Sequence, residues 1–547
     1  MGRDTRANEA CLEVSALIRK ACAPWCKIHP SASRDTSKHR QLHPAGTCEE
    51  MEHLMTEHSA STRPAAVADT ALARRTLGVP ALVFLIIAAS APLTVLAGGA
   101  TTSFAITAQS GVPVGYLLLG VILGLFAVGY GRMSTYVQNA GAFYAYVASG
   151  LGTRPGIGTA FLALMTYNAM QIGIYGVFGF TASSLIEGLF GVTIAWWICA
   201  LAGWLLVAWL GVNRIDLSAK VLAVIVLLEF LVVIVVSLLS LSSAPEGVTA
   251  APLLAQNWMN GSLGALLAFG MAAFMGFESG AIYSEEAKNP ERSVARATYI
   301  AVGIIAVFYA ASSWALAIGL GPSQIVAQAQ EWGPDLVFVF LEGRLPALLV
   351  DLAAVLFLTS IMAALVAFHN AAARYFFSMG RARVLPGVLA HTGARSGAPV
   401  VGSLVQSGLG LGFILIFAIA GAGSELGPLF PVLTMFPWLT NAAGFGLVLL
   451  LCITSVAVLR YFNRDPEQHP LFVRTIAPLL AAIGLGIIAV LIMFNFEVMI
   501  DSSSSPALVF ILPGVIVGSG VVGLLWAQYL RVRRPEIYEG VRQANIG

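Results

Sequence analysis

The charges in this chain are crowded at one end. Residues 1–77 hold 20 charged side chains, while residues 78–547 hold only 38 over 470 positions. An ordinary soluble domain has about 25% charged residues, so the second stretch is too poor in charge to cover a water-facing surface. Apolar residues make up 58% of the whole. A spanning helix needs roughly 20 apolar residues, and twelve stretches qualify: about 79–108, 112–132, 157–186, 193–212, 216–242, 262–287, 295–320, 346–378, 399–421, 428–462, 474–496 and 506–531. They are called helices 1 to 12 below. The expected fold class is an all-α polytopic membrane protein with twelve transmembrane helices. Met133 to Gly152 is amphipathic and too polar to span.

Basic residues orient such a chain, because cytoplasmic connections carry an excess of Lys and Arg. With the N-terminus inside, the cytoplasmic connections and the C-terminal tail collect 18 of the 19 basic residues beyond position 78. Only Arg344 falls outside. Twelve crossings with both termini in the cytoplasm follow, and a missed helix would scramble the alternation. The expected domains are a polar, disordered tail (1–77), a membrane domain (78–531) and a short cytoplasmic tail (532–547).

The N-terminal tail holds four of the six cysteines, Cys11, Cys22, Cys26 and Cys48. No disulfide framework is implied. Cys22 and Cys26 with His29, His39 and His43 fit no strong zinc spacing, and no metal site is expected. The tail has no signal-peptide core. Met51 or Met55 is the expected start if the preceding segment is an over-extended gene start.

Two helices read as interrupted. Helix 1 contains Ala89-Ser90-Ala91-Pro92-Leu93-Thr94 followed by Gly98-Gly99, and helix 6 contains Phe274-Met275-Gly276-Phe277-Glu278-Ser279-Gly280. Proline removes a backbone donor and clashes with the preceding turn. Kinks of this kind are also common in membrane helices as plain packing features. The two breaks lie five helices apart, so their helices cross in opposite directions. That pairing is the sequence pointer to an inverted repeat whose broken helices meet at mid-membrane. Amides freed at a half-helix start attract a carboxylate, and freed carbonyls attract an ammonium group or a cation.

Glu229 lies in Val-Leu-Leu-Glu-Phe-Leu-Val-Val-Ile, deep in helix 5, and Glu278 lies deep in helix 6. An ionisable residue inside a membrane is costly and marks proton or ion pathways; the alternative is a carboxyl held neutral by a structural hydrogen bond. Thr359 and Ser360 in helix 8 are candidates for a cation or for the pathway, although such hydroxyls often bond only the preceding turn. Tyr167, Asn168, Gln171 and Tyr175 make part of helix 3 polar, again a possible pathway. His369, near the inner end of helix 8, reads as a structural residue, and Trp438 in helix 10 as packing or a gate. Gly98-Gly99 and the glycines of 408–412 read as close helix packing. There is no Walker phosphate loop, no His-Glu-x-x-His and no nucleophile elbow. No enzyme, cofactor or nucleic-acid partner is expected.

At the exit of helix 6 the run Phe277-Glu278 followed by Glu285-Glu286-Ala287-Lys288-Asn289-Pro290-Glu291-Arg292 resembles a signature of the amino acid–polyamine–organocation permeases. Gln138 to Tyr146 with Leu151-Gly152, and Arg374 to Pro386, resemble two further motifs of that family. The resemblance covers about residues 78–531. It implies a five-plus-five inverted-repeat core, with 79–242 as first repeat and 262–462 as second. Helices 11 and 12 (474–531) are then peripheral. It also implies secondary active transport of amino acids or related amines by alternating access, usually proton-coupled symport, in the inner or plasma membrane. Sodium coupling, exchange, a polyamine or amine substrate, and a membrane solute sensor are the alternatives. The family's substrate positions map onto Ser90, Ala91, Pro92, Leu93 and Thr94, and onto Phe274, Gly276, Phe277, Glu278, Ser279 and Gly280. Proton-coupled relatives often have a lysine where this chain has Glu229, so a carboxylate replaces an amine at the expected coupling position. Membrane lipid is the remaining expected partner; oligomeric state is not legible.

Overall fold

In a computed structural model the described residues are 77–137, 141–213, 215–259, 262–283, 286–393, 396–500 and 506–544. The N-terminal tail with its cysteines and histidines, and the motif residues Gln138, Asn139, Ala140 and Glu285, lie outside them.

The described residues are helical throughout apart from connections and two isolated backbone bridges. Eleven helices are long and apolar enough to cross a membrane, so this is a multi-pass membrane protein. Helix 1 is Val79–Thr107, helix 2 Val112–Met133, helix 3 Thr153–Phe190, helix 5 Ile215–Ser242 and helix 6 Leu263–Ile282. Helix 7 is Pro290–Leu320, helix 8 Ala347–Arg381, helix 9 Val400–Gly421 and helix 10 Gly427–Phe462. Helix 11 is Phe472–Phe494 and helix 12 Leu508–Arg533. The expected fourth crossing is shorter: Trp196–Gly211 has 16 residues. At 1.5 Å per residue it measures ~24 Å, less than a ~30 Å hydrocarbon core. Its start is delayed because 192–195 do not enter the helix, and Gly191 before them ends helix 3 in a left-handed turn.

The chain uses its prolines as starts. Pro80, Pro113 and Pro290 sit in first turns, where the missing N–H costs nothing. The amphipathic stretch before helix 3 folds as a short, largely buried helix, Phe143–Leu151. Arg464 donates to the carbonyls of Ser149 (3.0 Å) and Gly150 (2.9 Å), placing a cation at that helix's C-terminus.

Helix 1 is tied down near both ends. Leu77 exchanges backbone bonds with the exit of helix 6: its N–H donates to Glu286 (3.1 Å) and its carbonyl accepts from Lys288 (2.6 Å). Near the other end Gln330, on the helix Ile325–Trp332, donates to the carbonyl of Ala105 at 3.0 Å. Arg374 of helix 8 secures the same helix 6 exit. Its Nε donates to Glu286 at 2.8 Å, and its guanidinium lies over the Tyr283 ring at 4.4 Å.

Of the glycines of 408–412 only Gly410 packs closely, with an added Cβ 3.4 Å from Tyr175 and 3.6 Å from Trp204; Gly408, Gly412 and Gly98-Gly99 do not pack as expected. An added Cβ on Gly408 or Gly412 would meet nothing within 4 Å, and one on Gly98 would come no nearer than 4.0 Å to Phe357. Gly98 and Gly99 instead lie in a π-helical stretch, Val95–Ala100, that follows the break in helix 1. Gly98's loosened carbonyl accepts from Thr102 Oγ1 at 2.5 Å.

The orientation is open to a direct test. In a background lacking the six native cysteines, Glu342→Cys and Val388→Cys place single thiols on exposed residues of opposite connections. An impermeant maleimide added to intact cells is expected to label position 342 at once and position 388 only after permeabilisation. The reverse pattern would invert the topology.

Candidate functional site

The break in helix 1 is built by one residue in the left-handed region. Ala91 has φ 47° and ψ 79°, and ends the first half-helix with its N–H on the Ile87 carbonyl. Pro92 starts the second half. A proline there removes one donor and leaves the next amides exposed at a helix start. Two side chains from other helices take them. Glu229 Oε2 of helix 5 accepts from the Leu93 N–H at 3.3 Å, and Ser360 Oγ of helix 8 lies 3.3 Å from the Thr94 nitrogen. Ser360 Oγ also donates to Glu229 Oε2 (2.7 Å), and Thr94 Oγ1 bonds Ser360 Oγ (2.9 Å). Helices 1, 5 and 8 therefore meet at one carboxylate. Glu229 is fully buried, and its second oxygen, Oε1, has no hydrogen-bond partner.

Helix 6 breaks differently. Its first half ends at Phe274, Gly276 takes φ 108°, and only Ser279–Ile282 resumes the helix. That backbone is open to glycine and strained for other residues. Here too a carboxylate covers an exposed amide. Glu278 Oε2 accepts from the Gly276 N–H at 3.0 Å, while Tyr167 of helix 3 donates to Glu278 Oε1. Tyr130 of helix 2 donates to the Glu278 carbonyl at 2.9 Å.

The two breaks touch. Ser90 Oγ donates to the Ala273 carbonyl at 2.8 Å, and an added Cβ on Gly276 would lie 2.5 Å from Ala89 Cβ. Tyr309 of helix 7 bridges to Ser90, with its hydroxyl 2.6 Å from Ser90 Oγ and 3.2 Å from the Ser90 carbonyl. Aromatic rings flank both breaks. Tyr116 stands against Phe274 and Tyr309, and Phe126 against Phe277 and Tyr130.

The breaks, Glu229, Ser360 and Tyr167 are thus brought together. Other candidates are not. Thr359 Oγ1 donates back to Leu356 of its own helix, and Asn168 to Leu164. Gln171 and His369 belong to a separate buried network: His369 bonds Ser403 (2.7 Å) and Gln171 (3.3 Å), and Gln406 donates to Gln171. Trp438 donates to the Ile500 carbonyl, away from both breaks. Tyr309, Tyr130 and Arg374 are further partners of this region. Nothing in the local sequence around Tyr309 and Tyr130 marked them as partners of the breaks; Arg374 was visible as a basic residue within a motif that resembles the family's.

A family model for amino acid permeases matches residues 82–536, a stretch that contains both breaks, Glu229 and Ser360. The chain belongs to the amino acid permease family. No curated protein matches the chain itself. Proteins of this family are transporters of small molecules, which agrees with the multi-pass helical architecture. Among the described residues of the permease no group of three or more His, Cys, Asp or Glu could hold a metal ion.

The contact between the breaks is testable at Gly276. Gly276→Ala adds a methyl against Ala89 on a left-handed backbone, and should lower stability by roughly 1–3 kcal/mol. Thermal unfolding in detergent reads this. Gly408→Ala, which meets open space, should leave the midpoint unchanged.

Proposed function

We propose that this permease is a secondary active transporter that moves amino acids or closely related amines by alternating access, with Glu229 as the proton-carrying group. The single observation that carries this reading is the placement of Glu229. One buried carboxylate from helix 5 holds the broken backbone of helix 1 and the Ser360 hydroxyl of helix 8 at once. The bare Oε1 beside them is a natural place for a proton.

The chemistry follows from the strength of those bonds. Hydrogen bonds to an ionised acceptor are roughly twice as strong as neutral ones. With Glu229 ionised, the Leu93 amide and Ser360 are held tightly, and the second half of helix 1 is fixed to helices 5 and 8. Protonation at Oε1 removes the charge and loosens that hold. The half-helix is then free to shift while the rest of the bundle stays in place. Proton uptake on one side and release on the other thereby drives exposure of the breaks to alternate sides.

In this reading the substrate lies at Ser90 to Thr94 and at Phe274 to Gly280. Helices 1–5 and 6–10 form an inverted repeat, and both termini are cytoplasmic in the plasma or inner membrane. Glu278 anchors the substrate's amine. Its carboxylate is held in place by Tyr167 and the Gly276 amide, as a fixed anchor requires.

Uptake into proteoliposomes tests the coupling. A labelled panel of amino acids and small amines is offered under an imposed inside-alkaline gradient. Wild-type uptake is expected to be saturable and accelerated by the gradient. Glu229→Gln keeps the shape and an acceptor for Leu93 but cannot carry a proton there, and should lose the response to the gradient. Uptake that ignores pH and follows sodium or internal substrate would remove Glu229 as proton carrier. Glu278→Gln is expected to weaken apparent affinity by about tenfold or more, the loss of one charge-assisted bond. An unchanged affinity would contradict the anchor role.

A further inference from the structure

Resting on the transport reading of the two breaks, we infer that the substrate of this permease is an organic amine without a carboxylate, selected against the corresponding amino acid because the protein's own glutamates occupy the backbone donors that a substrate carboxylate would need.

A carboxylate is recognised at a broken helix by free N–H groups at the start of a half-helix. In helix 1 none of the first positions is free. Ala91 N donates to Ile87 O (2.8 Å), and Pro92 has no N–H. Leu93 N is taken by Glu229 (3.3 Å) and Thr94 N by Ser360 (3.3 Å), while Val95 N donates to Ala91 O (2.9 Å). Helix 6 repeats the pattern. Met275 N donates to Met271 O (3.1 Å), Gly276 N to Glu278 Oε2 (3.0 Å), Phe277 N to Phe274 O (3.2 Å) and Ser279 N to Gly276 O (2.9 Å). Each break is capped by a carboxylate that the chain itself supplies.

The remaining chemistry favours a cation. Glu229 and Glu278 are both fully buried, and no salt bridge among the described residues joins either to a basic side chain. Arg374, the fully buried arginine, is engaged with Glu286 and Tyr283. Ser279 Oγ is a buried oxygen without a hydrogen-bond partner, and it adjoins the Glu278 carboxylate at the helix 6 break. An ammonium group carries three donors and no acceptor, which suits such oxygens. The rings of Phe274, Phe277, Tyr116 and Tyr309 around the breaks add faces that attract cations. A zwitterion would bring a third carboxylate near two existing ones, with the Leu93, Thr94 and Gly276 amides already taken.

Matched pairs that differ only in the carboxylate isolate the effect: phenethylamine with phenylalanine, isoamylamine with leucine, ethanolamine with serine, putrescine with ornithine. The purified full-length permease is titrated with each while ligand-induced thermal stabilisation is read. Currents on solid-supported membranes then report translocation. One amine is expected to act at an at least ~10-fold lower concentration than its amino acid, because specificity here comes from a built-in repulsion. Glu229→Ala should uncap Leu93 and shift the ratio toward the amino acid. Glu229→Gln keeps an acceptor on that amide and should weaken the amine without any gain for the amino acid. Binding and currents with amino acids at equal or lower concentration would overturn the substrate class and leave transport standing. No response to either class would remove the transport reading, and the amine selectivity with it.

Discussion

Glu229 Oε2 accepts from Ser360 Oγ and from the Leu93 amide, and that small arrangement sets the terms for the rest of the molecule. A helix interrupted inside a membrane leaves backbone groups that water cannot reach, and each unsatisfied group costs several kcal/mol. Pro92 creates the need in helix 1. The answer comes from helix 5 as a carboxylate, and from helix 8 as a hydroxyl that steadies the carboxylate and takes the next amide. Neither charge nor break is tolerable alone; each satisfies the other. The second break uses the same device inside its own turn, with Glu278 on the Gly276 amide and Tyr167 on Glu278.

The surroundings hold these groups in place from several sides. Ser90 reaches across to the helix 6 carbonyl left free at Ala273, and Tyr309 locks Ser90 from helix 7. Gly276 lets the two backbones meet where any side chain would collide with Ala89. Farther out, Leu77 and the Arg374–Glu286 pair fasten helix 1 and helix 8 to the exit of helix 6. A rearrangement of the breaks must therefore be felt at that exit. The His369 network sits apart, joining helices 3, 8 and 9 through Gln171, Ser403 and Gln406. It stiffens the helices that carry Tyr167 and Ser360.

Much of this was legible because hydropathy and chain breakers act locally. The eleven long apolar helices, the break at Ala91-Pro92 and the break at Gly276 could be read from residues within a few positions of one another. Glu229 and Glu278 stood out because a carboxylate in an apolar run has few cheap explanations. What could not be read depends on partners far along the chain. That Glu229 would cap Leu93 joins positions 136 residues apart, and that Tyr309 would bind Ser90 joins positions 219 apart. Thr359 and Ser360 are neighbours of the same chemical type; only the helix rotation decides that Ser360 meets Glu229 and Thr359 bonds its own turn. The π-helical turn after the break hid behind Gly98-Gly99, which looked like a packing surface. The 16-residue length of helix 4 was concealed because Val192, Ile194 and Ala195 are apolar yet stay outside the helix.

The central claim is that a single carboxyl on helix 5 responds when substrate reaches the breaks. Substrate-induced infrared difference spectroscopy in the carboxyl C=O region reads this directly, on the full permease in lipid. The account expects a band that appears or disappears on substrate addition in the wild type and is absent in Glu229→Gln. A carboxyl spectrum that substrate does not change, or a band that persists in Glu229→Gln, would contradict it.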